Sequence, residues 1–229
     1  MIDRPYVILS AAMSIDGFLD TAVPPRLALS NAEDFDRVDE VRAQSDAILV
    51  GARTVRLDNP RLLVRSEERR RRREAEGLSS SPWKVTLTAT GDLDPGADFF
   101  TSGHSTKLVY CPRSTSDELR NRLGEHATVV PLGDEVTVAA LVGDLHDRGV
   151  RSLLVEGGGT TITQFLASDL ADELQLAIAP FFVGDRHAPR LIGDGTFPWN
   201  ADRRAPLAES RRVGDMVLLR YALSERCDR

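Results

Sequence analysis

Lysine is almost absent from this chain. Lys84 and Lys107 are the only two among 29 basic residues, so the other 27 are arginine, a bias of genome composition rather than of function. Cysteine is equally scarce. Cys111 and Cys227 stand far apart in 229 residues, which excludes a disulfide framework or a four-cysteine zinc site and reads as two reduced, structural thiols. Four histidines show no metal spacing and no His-Glu-x-x-His, so no resident metal is expected. No hydrophobic run approaches the ~18 residues of a spanning helix. Met1-Ile2-Asp3-Arg4-Pro5 lacks a basic region leading into an apolar core, so no secretory signal is read there and a cytoplasmic protein is expected. Aromatics make up 6%, and the net charge of −6 argues against nucleic acid as a main partner. Gly-x-Ser-x-Gly, Walker A, Gly-x-Gly-x-x-Gly and the zinc deaminase signature are all missing. Asp92-x-Asp94-x-Gly96 reads as a turn rather than a calcium loop.

What is present is a 41% apolar chain long enough for one large domain or two small ones. Short apolar runs recur at Tyr6–Ala12, Ala47–Val50, Val85–Leu87, Leu108–Cys111, Thr128–Leu132, Ser152–Val155, Leu174–Ala179 and Met216–Tyr221. Several are continuous, as in strands covered on both faces. Helical patterns lie between them at Glu33–Ala43 (Phe35, Val38 and Val41 spaced for one face), Ser116–Leu123, Val136–Arg148 and Thr160–Ala167. The alternation predicts an α/β layered domain with a largely parallel sheet. Leu207–Val213, Gly214-Asp215 and Met216–Leu223 read as an antiparallel hairpin at its end. The arginine run Arg69–Arg73 within Ser66–Ser81 is flanked by acids and reads as a solvated, mobile helix or loop with no assigned function.

Three segments are candidates for chemistry. Leu153-Leu154-Val155-Glu156-Gly157-Gly158-Gly159-Thr160-Thr161 runs a buried strand into three glycines and then a helix. This places bare backbone N–H groups at a helix N-terminus, where anions bind and glycine permits close approach; the alternative is a tight turn that binds nothing. In Asp46–Val50 followed by Gly51-Ala52-Arg53-Thr54, a strand again meets a glycine. Arg53 is there a candidate phosphate contact, and Thr54 a candidate helix cap. Asn59-Pro60 should stop that helix within a turn. Ser10-Ala11-Ala12-Met13-Ser14-Ile15-Asp16-Gly17 offers small residues for flat contact with a ring, with Asp16-Gly17 a simple turn.

In order and spacing these segments resemble the reductase domain of the bacterial riboflavin-biosynthesis deaminase–reductase, in the dihydrofolate-reductase-like superfamily. The matching pieces are Ala12-Met13-Ser14-Ile15-Asp16-Gly17, Val41-Arg42-Ala43-x-x-Asp46 through Gly51, Thr54-Val55-x-x-Asp58-x-Pro60-x-Leu62, Val155-Glu156-Gly157-Gly158, and Asp172-Glu173-Leu174 with Ala179-Pro180 and Gly184. The resemblance implies a three-layer dihydrofolate-reductase-like fold, a mostly parallel central sheet with an antiparallel C-terminal hairpin. It implies one reductase domain over residues 1–229 without a deaminase. It also implies NADPH as donor of a hydride to the ribose C1′ of a 5-amino-6-(5-phosphoribosylamino)uracil-type pyrimidine. By the same resemblance, Ala12, Arg53, Thr54, Asp58 and Gly157-Gly158-Gly159-Thr160-Thr161 line the cofactor site. Arg42, Leu62, Arg65 and Glu156 contact the phosphorylated substrate, Asp58 and Glu156 are the acids assigned to catalysis, and the protein is a homodimer. One departure stands out: where riboflavin reductases carry Ser-x-Trp-Ile-Thr or Ser-x-x-Ile-Ser, this chain reads Pro25-Arg26-Leu27-Ala28-Leu29-Ser30. Two other readings therefore stay open: a reductase of a pterin or specialised metabolite on the same fold, and a non-catalytic nucleotide-binding protein.

Overall fold

The computed structural model describes residues 3–23 and 26–227. Met1, Ile2 and Pro25, which figure in the readings above, lie outside the described residues. In chain order the elements are β1 (Tyr6–Ser14), α1 (Ala32–Gln44), β2 (Ala47–Gly51), α2 (Ala52–Asp58), α3 (Glu67–Ala75), β3 (Trp83–Leu87), α4 (Asp98–Thr101), β4 (Lys107–Cys111), α5 (Ser116–Leu123), β5 (Thr128–Pro131), α6 (Val138–Asp147), β6 (Ser152–Glu156), α7 (Gly159–Ala167), β7 (Glu173–Ala179), β8 (Leu207–Val213) and β9 (Met216–Ala222). The apolar runs expected as strands are strands. The chain divides into two compact units, one of residues 3–5 and 39–154, the other of residues 6–38 and 155–227.

In the first unit β5, β4, β3 and β2 lie side by side in that order, every neighbouring pair parallel. Burial is continuous where the sequence is continuously apolar: Ala47, Ile48 and Leu49 are fully buried, as are Val109, Tyr110 and Cys111. Helix α6 has the expected amphipathic form. Val138, Leu141, Val142 and Leu145 are its buried residues, and the Thr137 side chain caps it by accepting from the Ala140 amide.

In the second unit β1 pairs with β7 in parallel, and β9 and β8 follow antiparallel. The β8–β9 hairpin turns at Gly214-Asp215, with Gly214 at φ 62. One face of these strands carries Ser10, Gln175 and Arg220 in register, and further along Ala12, Ala177 and Leu218. On the alternate face, Met13, Ile178, Leu219 and Tyr221 are only half-buried and Val217 is 45% exposed. Among the described residues no helix is long and apolar enough to cross a membrane, and no group of side chains could hold a metal ion. Cys111 and Cys227 form no disulfide and both are buried.

Two helices depart from the expectation. In α1 the residue that should face inward, Phe35, is 43% exposed, while Asp34 and Asp39 are buried. The carboxylates are buried because each is saturated with donors. Asp34 accepts from the Asn31-capped turn side through Ser30 Oγ (2.6 Å) and from Arg37 Nε (2.8 Å), and Asp39 accepts from two backbone amides and Arg69. The arginine run is helical, one of the two forms expected of it, and Arg71 and Arg72 are exposed, but Arg73 is buried. The run forms α3, capped by Ser66, with Glu67 and Glu68 in its first turn and Arg72 and Arg73 in its last, the arrangement its dipole favours. Arg73 is 2% exposed and donates to the carbonyls of Ala43 (2.8 Å), Ser45 (2.8 Å) and Ser79 (2.8 Å), closing the C-terminus of α1.

Lys84 on β3 is a second buried cation in the first unit. Its Nζ donates to the carbonyls of Phe99 (3.0 Å) and Ser102 (2.6 Å). Burial, with Lys107 nearby, pushes its ammonium down to about 8 from an ordinary 10.5. At Lys84 the unfolded chain therefore binds more protons than the native one between those values, and this contribution to stability rises as pH climbs from about 8 towards 10.5. Tyr6, Tyr110 and Cys111, whose pKa values are raised, act in the opposite sense over that window, so chemical denaturation should show the Lys84 contribution as the difference between wild type and Lys84→Met, which should grow as pH climbs from about 8 towards 10.5.

Candidate active site

The glycine turn leaves β6 in the second unit. Gly157 and Gly158 both have positive φ, 70 and 78, which other residues adopt only with strain. Gly158 is the N-cap of α7, a nine-residue helix. A Cβ at Gly157 would meet nothing within 4 Å. Gly159 is different: a Cβ there would lie 2.4 Å from the Arg190 carbonyl oxygen and 3.1 Å from that of Leu191. The close approach expected of a ligand at this glycine is made by the chain itself. Thr163, one turn into α7, holds the crossing in place. Its Oγ1 donates to the Gly159 carbonyl (2.6 Å) and accepts from the Gly193 amide (2.9 Å).

The same crossing segment is tied to the turn after β1. Leu19 N donates to Pro189 O (2.8 Å) and Leu191 N to Gly17 O (3.1 Å), while the Arg190 guanidinium lies 4.6 Å from the Phe18 ring centroid. Asp16, read from sequence as a simple turn residue, accepts from the Ser14 hydroxyl (2.6 Å) and from the amides of Val183 (3.1 Å) and Gly184 (2.8 Å). The Ser14 hydrogen bond first, then the two amides, hold its carboxyl down at about 2. Ala12 sits above this turn on β1. With Leu29 and Phe181 it packs on buried Ala177, Ala179 and Met216.

In the first unit, β2 runs directly into α2. Gly51 is the N-cap and no side chain caps the helix, so Thr54 is its third residue and not the expected cap. Arg53 is exposed, Thr54 and Asp58 are half-buried. The helix ends at Asn59, whose φ of 42 is left-handed, as Asn59-Pro60 predicted. Leu62 is also left-handed, at φ 49, and only 2% exposed. Such a backbone in a non-glycine residue costs about 1–2 kcal/mol and persists where packing over-determines it. Arg42 on α1 donates from Nη1 to Leu63 O (3.2 Å), and Arg65 follows with an exposed side chain.

The first unit thus holds Arg42, Arg53, Thr54, Asp58, Leu62 and Arg65, with Arg42 bonded to the segment that carries Arg65. The second holds Ala12, half-buried Glu156 at the end of β6, the three glycines, exposed Thr160 and buried Thr161. Sequence reading missed Asp16, Asp39 and Thr163 as organisers of these loops. Asp16 had a signal in its Ser14-x-Asp16 spacing; Thr163 had none, because its two partners are distant in sequence from each other.

A strand–glycine turn–helix and parallel strands followed by an antiparallel hairpin define an α/β fold. The family model described as the RibD C-terminal domain matches residues 5–219, and the chain belongs to that family. It is 36% identical over 213 residues to a 2,5-diamino-6-ribosylamino-4(3H)-pyrimidinone 5′-phosphate reductase of Archaeoglobus fulgidus, covering 93% of this chain and 95% of the relative. A protein of the same name from Methanothermobacter thermautotrophicus is 34% identical, covering 96% and 99%. In fold, the chain matches a diaminohydroxyphosphoribosylaminopyrimidine deaminase/5-amino-6-(5-phosphoribosylamino)uracil reductase of Thermotoga maritima with a TM-score of 0.78 at 23% identity. That match covers 96% of this chain and 56% of the longer Thermotoga chain.

Gly159→Ala should displace the crossing segment. Overpacking of this kind typically costs about 1–3 kcal/mol, and urea denaturation should show a loss in that range. Gly157→Ala, facing open space, should show only the strain of its φ of 70.

Proposed function

We propose that this chain is a reductase of a ribosylaminopyrimidine 5′-phosphate in riboflavin biosynthesis, with residues 1–229 forming one reductase domain. The observation that carries the reading is similarity to the two archaeal reductases over nearly their whole lengths. Their names specify a diamino pyrimidinone, so the substrate favoured here still bears its 2-amino group, one step before the uracil form expected from sequence. In the open form of such an N-glycoside, C1′ is an electrophilic imine carbon. Reduction adds a hydride to C1′ and a proton to the attached nitrogen, leaving a ribityl amine.

The residues fit a nicotinamide dinucleotide. Open space over Gly157, the α7 N-terminus and exposed Thr160 suit a pyrophosphate, with Gly158, Gly159 and Thr161 shaping the turn. Exposed Arg53 suits a 2′-phosphate and so favours NADPH over NADH. Thr54 and Asp58 would flank it, and Ala12 would face the nicotinamide, which supplies the hydride when bound. The protein's own part is positioning. Arg42 and Arg65 hold the 5′-phosphate, Leu62 fixes the bend between α2 and Arg65, and Glu156 binds a ribose hydroxyl or the pyrimidine. Asp58 and Glu156 are the carboxyl groups assigned to catalysis. The partly uncovered apolar face around Val217, Ile178 and Tyr221 supports a homodimer, and the reading is of a cytoplasmic enzyme.

Purified protein should oxidise NADPH with the diamino pyrimidinone phosphate faster than with its deaminated counterpart, and not with dihydrofolate. Glu156→Gln should lower kcat/KM about a hundredfold, and Arg53→Ala should erode the preference for NADPH over NADH. NADPH binding without turnover of either pyrimidine would overturn the reading, and turnover of dihydrofolate would favour the pterin alternative. In sedimentation experiments the wild type should run as a dimer and Val217→Glu as a monomer; a monomeric wild type refutes the assembly.

A further inference from the structure

Residues 63–66, which lead to α3, belong to no helix or strand, yet their backbone polar groups are bonded almost throughout. Leu63 O accepts from Arg42 (3.2 Å), and Val64 N donates to Ser81 Oγ (3.0 Å). Arg70 Nη1 reaches both Val64 O (3.4 Å) and Arg65 O (3.3 Å). Arg65 N donates to Asp39 Oδ1 (2.5 Å) and Ser66 N to Asp39 Oδ2 (3.0 Å). Side chains of α1 and α3 here do the work that a strand ladder does elsewhere. Asp39 is central: 3% exposed, it joins the two amides to Arg69 Nη1 at 2.9 Å. Arg69 in turn donates to Glu40 (2.6 Å), which also receives Arg72 (2.7 Å). A helix of the sequence Glu-Glu-Arg-Arg-Arg-Arg-Arg-Glu-Ala has no apolar face to bury, and burying Asp39 and Arg73 opposes folding unless both are fully bonded. The return on that arrangement is a backbone fixed on both sides of one exposed side chain, Arg65.

We propose that Asp39 is a positioning residue for substrate phosphate: with Arg69 and Arg70 of the arginine-rich helix it fixes the Arg65 backbone, and so aims the Arg65 guanidinium. The inference rests on the reading of Arg65 as a phosphate ligand and extends it to residues with no contact to substrate. Asp39→Asn keeps the size of the side chain but replaces one acceptor oxygen with a donor, so it cannot serve both amides and Arg69. Loss of orientation should then weaken only the interactions Arg65 makes.

The test compares the phosphorylated diamino pyrimidinone with its dephosphorylated ribosylamino counterpart, and measures binding of ribose 5-phosphate by calorimetry. Asp39→Asn should raise KM for the phosphorylated substrate about tenfold with kcat within about twofold, and leave kcat/KM for the dephosphorylated one unchanged. Combined with Arg65→Met it should add nothing to Arg65→Met alone. Arg69→Gln should show a smaller rise in KM and Arg69→Lys should restore it, which keeps the test open if Asp39→Asn does not fold. Equal losses on both substrates, or additive effects of Asp39→Asn and Arg65→Met, would overturn the proposal. If wild type binds ribose 5-phosphate in an Arg65- and Asp39-dependent way but reduces neither pyrimidine, the positioning role stands and the proposed reaction fails. If its binding is indifferent to Arg65 and Asp39, the positioning role fails.

Discussion

Carboxylates that accept backbone amides are the interaction on which the loops of this protein depend. Asp46 accepts from the amides of Arg151 and Ser152, steering the chain into β6. Asp172 receives Val7 N at the start of β1, and its other oxygen takes the Ser224 hydroxyl. Asp16 gathers Val183 and Gly184, Asp20 gathers Thr21 and Leu27, and Asp39 gathers Arg65 and Ser66. Each ties down backbone at a strand end or in a loop, and a charge-assisted bond of this kind is stronger than a neutral one. Where the amide is buried, as at Val7 N, losing the carboxylate leaves it without an acceptor, a penalty larger than the net worth of the bond.

This pattern places rigidity in the loops that carry the proposed site residues. The sheets supply broad, non-directional burial, and the aspartates turn strand ends into fixed points. In the second unit the result is a glycine turn whose third glycine is already pressed by the Arg190 and Leu191 carbonyls, while the space at Gly157 stays open. In the first it is the irregular segment of residues 63–66, whose backbone is held by Asp39, Arg42 and Arg70. Under the proposed function, preorganisation of this sort lowers the reorganisation cost of orienting cofactor and substrate.

Most of the architecture was legible in the sequence, because parallel strands buried on both faces declare themselves as continuous apolar runs. Ser116–Leu123 and Leu207–Val213 fall where periodicity and turn chemistry put them. The glycine turn was legible too, since Gly157, Gly158 and Gly159 each answer a separate backbone demand. Two of the misreadings share one cause. Inward-facing Asp34 and Asp39 and buried Arg73 are polar residues at core positions, so hydrophobic periodicity pointed to Phe35 instead, and the charge pattern of the arginine run gave no sign that Arg73 is buried. Polar side chains become buried only when distant partners complete them, and those partners are set by tertiary structure. Thr54 failed as a cap for a simpler reason: β2 enters α2 without a break, so Gly51 takes that place.

The most direct measurement is a crystal structure of the protein with NADPH and ribose 5-phosphate. Density for the sugar phosphate should lie against the guanidinium groups of Arg42 and Arg65, with the Asp39 bonds to Arg65 N and Ser66 N intact. The dinucleotide's pyrophosphate should lie over Gly157 and Gly158. A phosphate bound elsewhere, or an Arg65 that swings away while the Asp39 bonds hold, would contradict the account.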